Sequence, residues 1–229
     1  MQQAAKAFPV VIQRDPVGIG TDGSGRVYVA DSGNHRIQVF DAAGGFLSAF
    51  AVNEGGQAVR PIDVEPDGAG KTLFVTGNNN HKVMAFSGAG QLLRQWGGEG
   101  VSDFEFRYPA TMALSTKGLL YVVDVLNTRV QVFDGEGRRG YRVGGWGVLP
   151  GQFFRPKGVA LDSLGYVYVS DSYMDVIQVF DAGYRLLHVL GNAGQPHRFK
   201  APVGLAVDGK DHLYVVEMLA NKVSVHALR

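Results

Sequence analysis

Residues 27–41 read VYVADSGNHRIQVFD, and close variants of this phrase return at 73, 120, 167 and 213. β-Branched and aromatic residues surround a short polar segment, the pattern of two strands joined by a turn. Anchored on the proline that opens each copy, the repeats begin at Pro16, Pro61, Pro109, Pro156 and Pro202, a nearly constant spacing. Each copy has the same order: a short strand, an Asp-Gly-type turn, a second strand such as VYVAD, a four-residue turn, a third strand such as RIQVFD, a glycine turn and a fourth strand such as LLRQW. The strands are apolar on both sides, as in sheets packed against a neighbour on either face. Four-stranded units of this length predict a β-propeller.

The last copy, from Pro202 to Arg229, is short and holds three strands, while the stretch ahead of Pro16 contains one further strand, FPVVI at 8–12. Together they amount to one repeat. The sequence therefore predicts a single all-β domain over 1–229, a five-bladed propeller closed by residues 8–12 as the fourth strand of the last blade. A truncated six-bladed parent is the alternative.

Composition agrees. With 229 residues, 45% hydrophobic, the chain can bury a substantial core, and its 32 glycines are about twice the usual share, as many tight turns require. The formal charge of +1 names no partner. The absence of cysteine excludes disulfides, thiolate metal sites and a cysteine nucleophile. The start, MQQAAKAFPVVIQ, does not read as a signal peptide, and no apolar run reaches membrane-spanning length. A soluble domain is expected. Its compartment is left open, extracytoplasmic if the chain is a mature or excised form.

Asp31, Asn34, His35 and Arg36 in ADSGNHRIQVFD, together with GQFFRPKGVALD at 151–162, resemble the NHL repeat. The resemblance runs through the whole chain and implies the propeller fold. It leaves function open, because NHL propellers include protein-binding, RNA-binding and zinc-dependent lyase members.

Aligned by repeat, the residue ending strand two is Asp31, Gly77, Asp124, Asp171 or Glu217, and five positions on stands Arg36, Lys82, Arg129, Val176 or Lys222. A structural acid–base clasp in each turn is the favoured reading. A cation-binding carboxylate ring is the lesser one, since Gly77 would break it. His35 and His81 share a column, but a catalytic zinc needs three protein ligands and only the distant Asp175 offers a third. There is no nucleophile elbow, phosphate-binding loop or cofactor motif, so no catalytic residue, metal set or cofactor is assigned. A metal-dependent lyase or lactonase ranks last.

The turn between strands two and three changes character along the chain. It is polar in the first two repeats and becomes Val125–Leu126–Asn127, Ser172–Tyr173–Met174 and Met218–Leu219–Ala220 in the last three. The expected function is a non-catalytic protein-interaction module whose partner surface comprises Val125, Leu126, Tyr173, Met174, Met218 and Leu219, rimmed by Arg129, Arg155 and Lys222. Self-burial beneath the links at 97–108, 144–155 and 191–201 competes with it. RNA binding is second, resting on Arg14, Arg60, Arg107, Arg155, Arg198 and Lys200 beside Trp96, Phe104, Tyr108, Trp146 and Phe154. Phe106, Phe153 and Phe199, three before their prolines, read as packing.

Overall fold

A computed structural model describes residues 13–138, 140–191 and 198–228. The first blade consists of β1 (Pro16–Thr21), β2 (Val27–Asp31), β3 (Arg36–Phe40) and β4 (Phe46–Ala51). A small hairpin, β5 (Asn53–Glu54) and β6 (Gln57–Ala58), leads to the second blade: β7 (Pro61–Pro66), β8 (Thr72–Gly77), β9 (Lys82–Ser87) and β10 (Leu92–Gly97). The third is β11 (Pro109–Leu114), β12 (Leu119–Asp124), β13 (Arg129–Asp134) and β14 (Tyr141–Val143). The fourth is β15 (Pro156–Leu161), β16 (Val167–Asp171), β17 (Val176–Phe180) and β18 (Leu186–Leu190). The fifth has β19 (Pro202–Val207), β20 (His212–Glu217) and β21 (Lys222–Ala227). Each blade is an antiparallel meander, so the chain is an all-β, five-bladed propeller. The expected closing strand at 8–12 lies outside the described residues. Among the described residues, no helix is long and apolar enough to cross a membrane.

Four apolar clusters hold the blades together, one for each successive pair. Val39 and Ile37 meet Val64 and Leu73, Phe74 and Ala85 meet Met112 and Leu120, Val130 and Val132 meet Val159 and Val169, and Ile177 and Val179 meet Leu213 and Val215. No described cluster joins the fifth blade to the first. At that seam Ile19 is 67% exposed, whereas its repeat counterparts Val64, Met112 and Val159 are buried.

The innermost strands approach one another at backbone distance. A Cβ on Gly20 would lie 2.3 Å from the Val64 carbonyl oxygen, and one on Gly158 would lie 2.1 Å from that of Val203, so both positions demand glycine. Hydroxyls tie the strands across the blades: Thr76 donates to Ala110 O (2.8 Å) and Ser170 donates to Val203 O (2.8 Å). These strands line a central cleft of about 520 Å³.

On one face of the ring, an aspartate opens the inner hairpin of blades one, two, four and five and accepts bonds from the amides two and four residues on. Asp22, Asp162 and Asp208 then each take the hydroxyl of a strand-two tyrosine: Tyr28 (2.9 Å), Tyr168 (3.2 Å) and Tyr214 (3.1 Å). These are Asx turns with a tyrosine latch.

The other face carries the clasp. Asp124, fully buried, accepts from the Arg107 amide (2.8 Å), Asn127 (2.8 Å), Arg129 (2.9 Å) and Gln131 (3.1 Å). Asp31 does the same for the Arg14 amide, Asn34, Arg36 and Gln38. Asp171 accepts from the amides of Phe154 and Arg155, and Glu217 from that of Lys200. In blades one and three a single carboxylate thus joins the incoming link, the turn and the third strand. The acid column is a clasp, as its repetition suggested.

Blade two departs from the pattern in two places. Gly77 stands where the carboxylate should be, and a Cβ there would displace the Asn80 side chain that fills the space. Glu54, carried in by the β5–β6 hairpin, supplies the charge instead, accepting from Asn80 (3.1 Å), Gln95 (2.6 Å) and Lys82. The bond from Lys82, helped by the two amides, holds the Glu54 carboxyl below its usual range despite partial burial.

The second departure is a pair of acids on inner strand β7. Asp63 accepts from the Met112 amide (2.7 Å) and Glu65 from the Leu114 amide (3.1 Å), hooking blade two to blade three. Burial raises Asp63 to about 6, against the opposing pull of the Met112 and Val64 amides. Burial, then the neighbouring Asp63 charge, raises Glu65 to about 8.

Removing these carboxylates has measurable consequences. Asp124→Ala strands Arg129, which is only 4% exposed, and should lower the unfolding free energy by about 3–5 kcal/mol. Asp171→Ala, where Val176 replaces the base, should cost only ~1–3 kcal/mol. Urea unfolding of the two variants checks the difference. For the β7 pair, carboxyls raised in the folded state favour folding while protonated. Their contribution is complete below about pH 4 and is lost as pH rises towards 8, at ~1.4 kcal/mol per unit of displacement. Glu65→Gln should flatten that decline and be the more stable protein at pH 9, read from melting temperatures across pH 4–9.

Candidate partner-binding face

The clasp places the turns of blades one, three, four and five beside the links of their own blades, and in blade two Asn79 accepts the Arg60 amide (2.9 Å) in its stead. Backbone bonds repeat the contact: Gly33 N to Arg14 O, Asn78 N to Arg60 O, Leu126 N to Arg107 O, Ser172 N to Arg155 O and Leu219 N to Lys200 O. Turns and links therefore share one face. In blades one, three and five the turn is a single 3₁₀ turn (Ser32–Asn34, Val125–Asn127 and Met218–Ala220). It ends in a left-handed residue of the histidine column: His35, Thr128 or Asn221, with φ of 54°, 52° and 50°. His81 and Asp175 take the same conformation in blades two and four, with φ of 53° and 59°.

Two members of this column serve the backbone of the next link. His81 Nδ1 accepts the Tyr108 amide of the next blade (3.3 Å), and Asp175 accepts the Ala201 amide (2.8 Å). Among the described residues no group of three His, Asp or Glu side chains is arranged to hold a metal ion.

The links fold inward. The Phe106 amide donates to Gly98 O and its carbonyl accepts from Gly100, and Phe153 makes the same pair of bonds with Gly145 and Gly147 in the next loop. Phe106, Phe153 and Phe199 are buried, each against a glycine with positive φ (Gly97, Gly144 and Gly191) that leaves room for the ring. The three phenylalanines pack as expected. The described residues of their links leave Leu126, Tyr173, Met218 and Leu219 exposed.

Leu126 is 56% exposed, Tyr173 61%, Met218 55% and Leu219 72%. Tyr173 lies against Phe154 with ring centroids 4.2 Å apart, and Met174 is half-buried. The link after blade three adds Trp146, 75% exposed, with Val148 and Leu149 also exposed, a contribution that the turn column alone does not reveal.

Two expected members face inward. Val125 is buried among Val123, Val130 and Phe153. Arg129 donates to Asp124, to Ser102 O (2.7 Å) and to Glu105 O (2.9 Å), holding down the link at 97–108 instead of forming a rim. Its burial follows from the link reaching back to it, a contact between segments distant in sequence that column alignment does not display. Of the expected rim cations, Arg155 is exposed and Lys222 is half-exposed with Glu217 at 3.3 Å.

Arg14, Arg60, Arg107, Arg198 and Lys200 are likewise exposed along the links. Lys157, beside the exposed Arg155, is half-buried; burial, then repulsion from Arg155, lowers its ammonium pKa. Asp31 shows the opposite balance. Burial alone would raise it, but the Arg14 amide, Asn34 and Arg36 outweigh burial and hold it ionised below the usual carboxylate range.

Comparison with known proteins agrees with this architecture. Residues 14–40 match the family model of the NHL repeat. Over 113 residues the chain is 27% identical to B-box type zinc finger protein ncl-1 of Caenorhabditis elegans and, over a stretch of the same length, 26% identical to protein brain tumor of Drosophila melanogaster. Each alignment covers 48% of this chain but only 13% and 10% of those much longer proteins. Among solved structures, a chain of a nidogen/laminin complex superposes with a TM-score of 0.72 at 17% identity, covering 93% of this chain and 76% of that one. A streptogramin B lyase gives 0.70 at 14% identity, with 96% and 68% covered. Virginiamycin B lyase from Staphylococcus aureus gives 0.67 at 14% identity, with 92% and 69% covered. At such identities these likenesses concern the fold alone. The chain is thus a five-bladed β-propeller whose first repeat, residues 14–40, matches the NHL model.

Proposed function

We propose that this propeller is a non-catalytic protein-interaction module that docks its partner on the turn-and-link face of blades three to five. The observation that carries the reading is the exposure of Leu126, Tyr173, Met218 and Leu219 on turns of three consecutive blades, where the first two blades keep polar residues. Trp146, Val148 and Leu149 extend the surface, and Arg155 and Lys222 stand at its edge. An exposed apolar patch of a few hundred Å² on a monomer marks a docking site. Tyrosine, tryptophan and methionine are the residues that interfaces favour.

The energetics suit a specific, reversible contact. Burying ~400 Å² of apolar surface at ~25 cal/mol per Å² yields about 10 kcal/mol. Association costs roughly 4–15 kcal/mol, so the rim must contribute. Because the clasps fix turns and links before the partner arrives, little further ordering is required.

The second reading is RNA, favoured by the exposed Arg60, Arg107, Arg155, Arg198 and Lys200 near Tyr108 and Trp146. Capture from the native source with wild type and with Leu126→Asp/Tyr173→Asp/Leu219→Asp, both shown folded by circular dichroism, distinguishes the two. A protein recovered by wild type and lost with the triple variant, with nuclease treatment making no difference, is the expected result. Equal recovery by both baits, or recovery abolished by nuclease, would overturn it.

A further inference from the structure

The second residue of the inner strand is Val17, Ile62, Ala110 and Val203 in blades one, two, three and five, but Lys157 in blade four. That strand opens opposite Asp171, so Lys157 lies where the inner strand meets the turn-and-link face. Its side chain is half-buried. Burial disfavours the ammonium charge, the neighbouring Arg155 adds to the cost, and Tyr108 pulls the other way. Backbone bonds hold the two bases in place. The Arg155 amide donates to Asp171 (3.0 Å), its carbonyl accepts the Ser172 amide (3.0 Å), and the Lys157 carbonyl accepts the Thr111 hydroxyl of blade three (2.6 Å).

Among the described residues, neither the Arg155 nor the Lys157 side chain has a carboxylate within ion-pair distance. All 21 Asp and Glu of the chain lie among those residues. The acids of this sector are engaged elsewhere: Asp171 by the Phe154 and Arg155 amides, Asp175 by the Ala201 amide, and Glu217 by the Lys200 amide and Lys222. The links at 144–155 and 191–201 contain Arg155, Arg198 and Lys200 and no acid, whereas the link at 97–108 has Glu99, Asp103 and Glu105. An acidic side chain that neutralises Arg155 and Lys157 must therefore come from another molecule.

We propose that Arg155 and Lys157 anchor a carboxylate of the protein partner, so that the docking segment carries Asp or Glu beside a large apolar residue. This names the chemistry of the partner and rests on the reading of the face as a protein-docking surface. The apolar residue has its place next to the anchor. Phe154, adjoining Arg155, stacks on Tyr173 at 4.2 Å, and Tyr173 is still 61% exposed. A bond between a carboxylate and a cation already stripped of part of its water is stronger than one in open solvent. Protein is favoured over RNA because Leu126, Met218 and Leu219, all exposed, offer no flat ring to a base.

The probe is a random peptide library displayed on phage and panned against the full chain. Selected peptides are titrated into wild type, Arg155→Gln/Lys157→Val and Leu126→Asp/Tyr173→Asp/Leu219→Asp, each folded by circular dichroism. Lys157→Val restores the residue of blades one and five, so the double variant is expected to keep the fold. Enrichment of Asp or Glu next to large apolar residues is predicted, with binding weakened about tenfold or more in the double variant and lost in the triple one. Selection of no peptide, selection of peptides without acids, or unchanged affinity in the double variant would overturn the anchor. If such peptides are still lost with the triple variant, the docking face stands without the anchor; if they bind all three proteins alike, both readings fall. A short oligouridylate that binds wild type and not the double variant, with no acidic peptide selected, would assign the cations to RNA and overturn the proposal.

Discussion

A buried carboxylate at the end of strand two organises this propeller. In blade three, Asp124 takes four hydrogen bonds from three separate pieces of chain: the incoming link, the turn and the third strand. Such a group is costly to bury alone and stable to bury when each oxygen is satisfied. It therefore works as a geometric constraint. A link that drifts from its turn leaves a charge without partners, so the two move as one body. Blade two shows that the charge matters more than its place in sequence. With Gly77 at the usual position, Glu54 arrives from the preceding hairpin to meet the same asparagine and base columns.

The same constraint explains how the outer surface came free to vary. Once the acid and its amide, asparagine and third-strand partners hold the turn, the middle side chain of the turn contributes little to the fold. That position is Gly33 in blade one, Leu126 in blade three, Tyr173 in blade four and Leu219 in blade five. Where it becomes large and apolar, the fold gains little burial, since Leu126, Tyr173 and Leu219 remain more than half exposed. A feature that does not serve the core, on a scaffold fixed beneath it, is what a docking surface requires.

Blade number, strand order and clasp were legible in the sequence because each recurs from repeat to repeat, and recurrence separates a structural column from chance. The inward phenylalanines were legible for the same reason. Features confined to one blade were not. Arg129 reads as a surface base, yet the link at 97–108 returns to bury it. Val125 heads an apolar turn, yet it points into the cluster between blades three and four. Trp146 joins the exposed face only because its loop closes on Phe153 and leaves the indole outside. The acids on β7 break a column of small residues, and only the inner-strand geometry shows that they reach the amides of blade three. Each of these depends on contacts that repeat alignment superimposes and so conceals.

Buried carboxylates, and not strand pairing, immobilise the links on the face that carries the turns between strands two and three. Residue-resolved hydrogen exchange tests it at the amides of Arg14, Arg107, Arg155 and Lys200, which lie outside the strands and bond to Asp31, Asp124, Asp171 and Glu217. Exchange as slow as that of the adjoining strands is predicted. Exchange as fast as that of exposed turn amides such as Ala43 would show that the links are held loosely and that the carboxylates do not immobilise them.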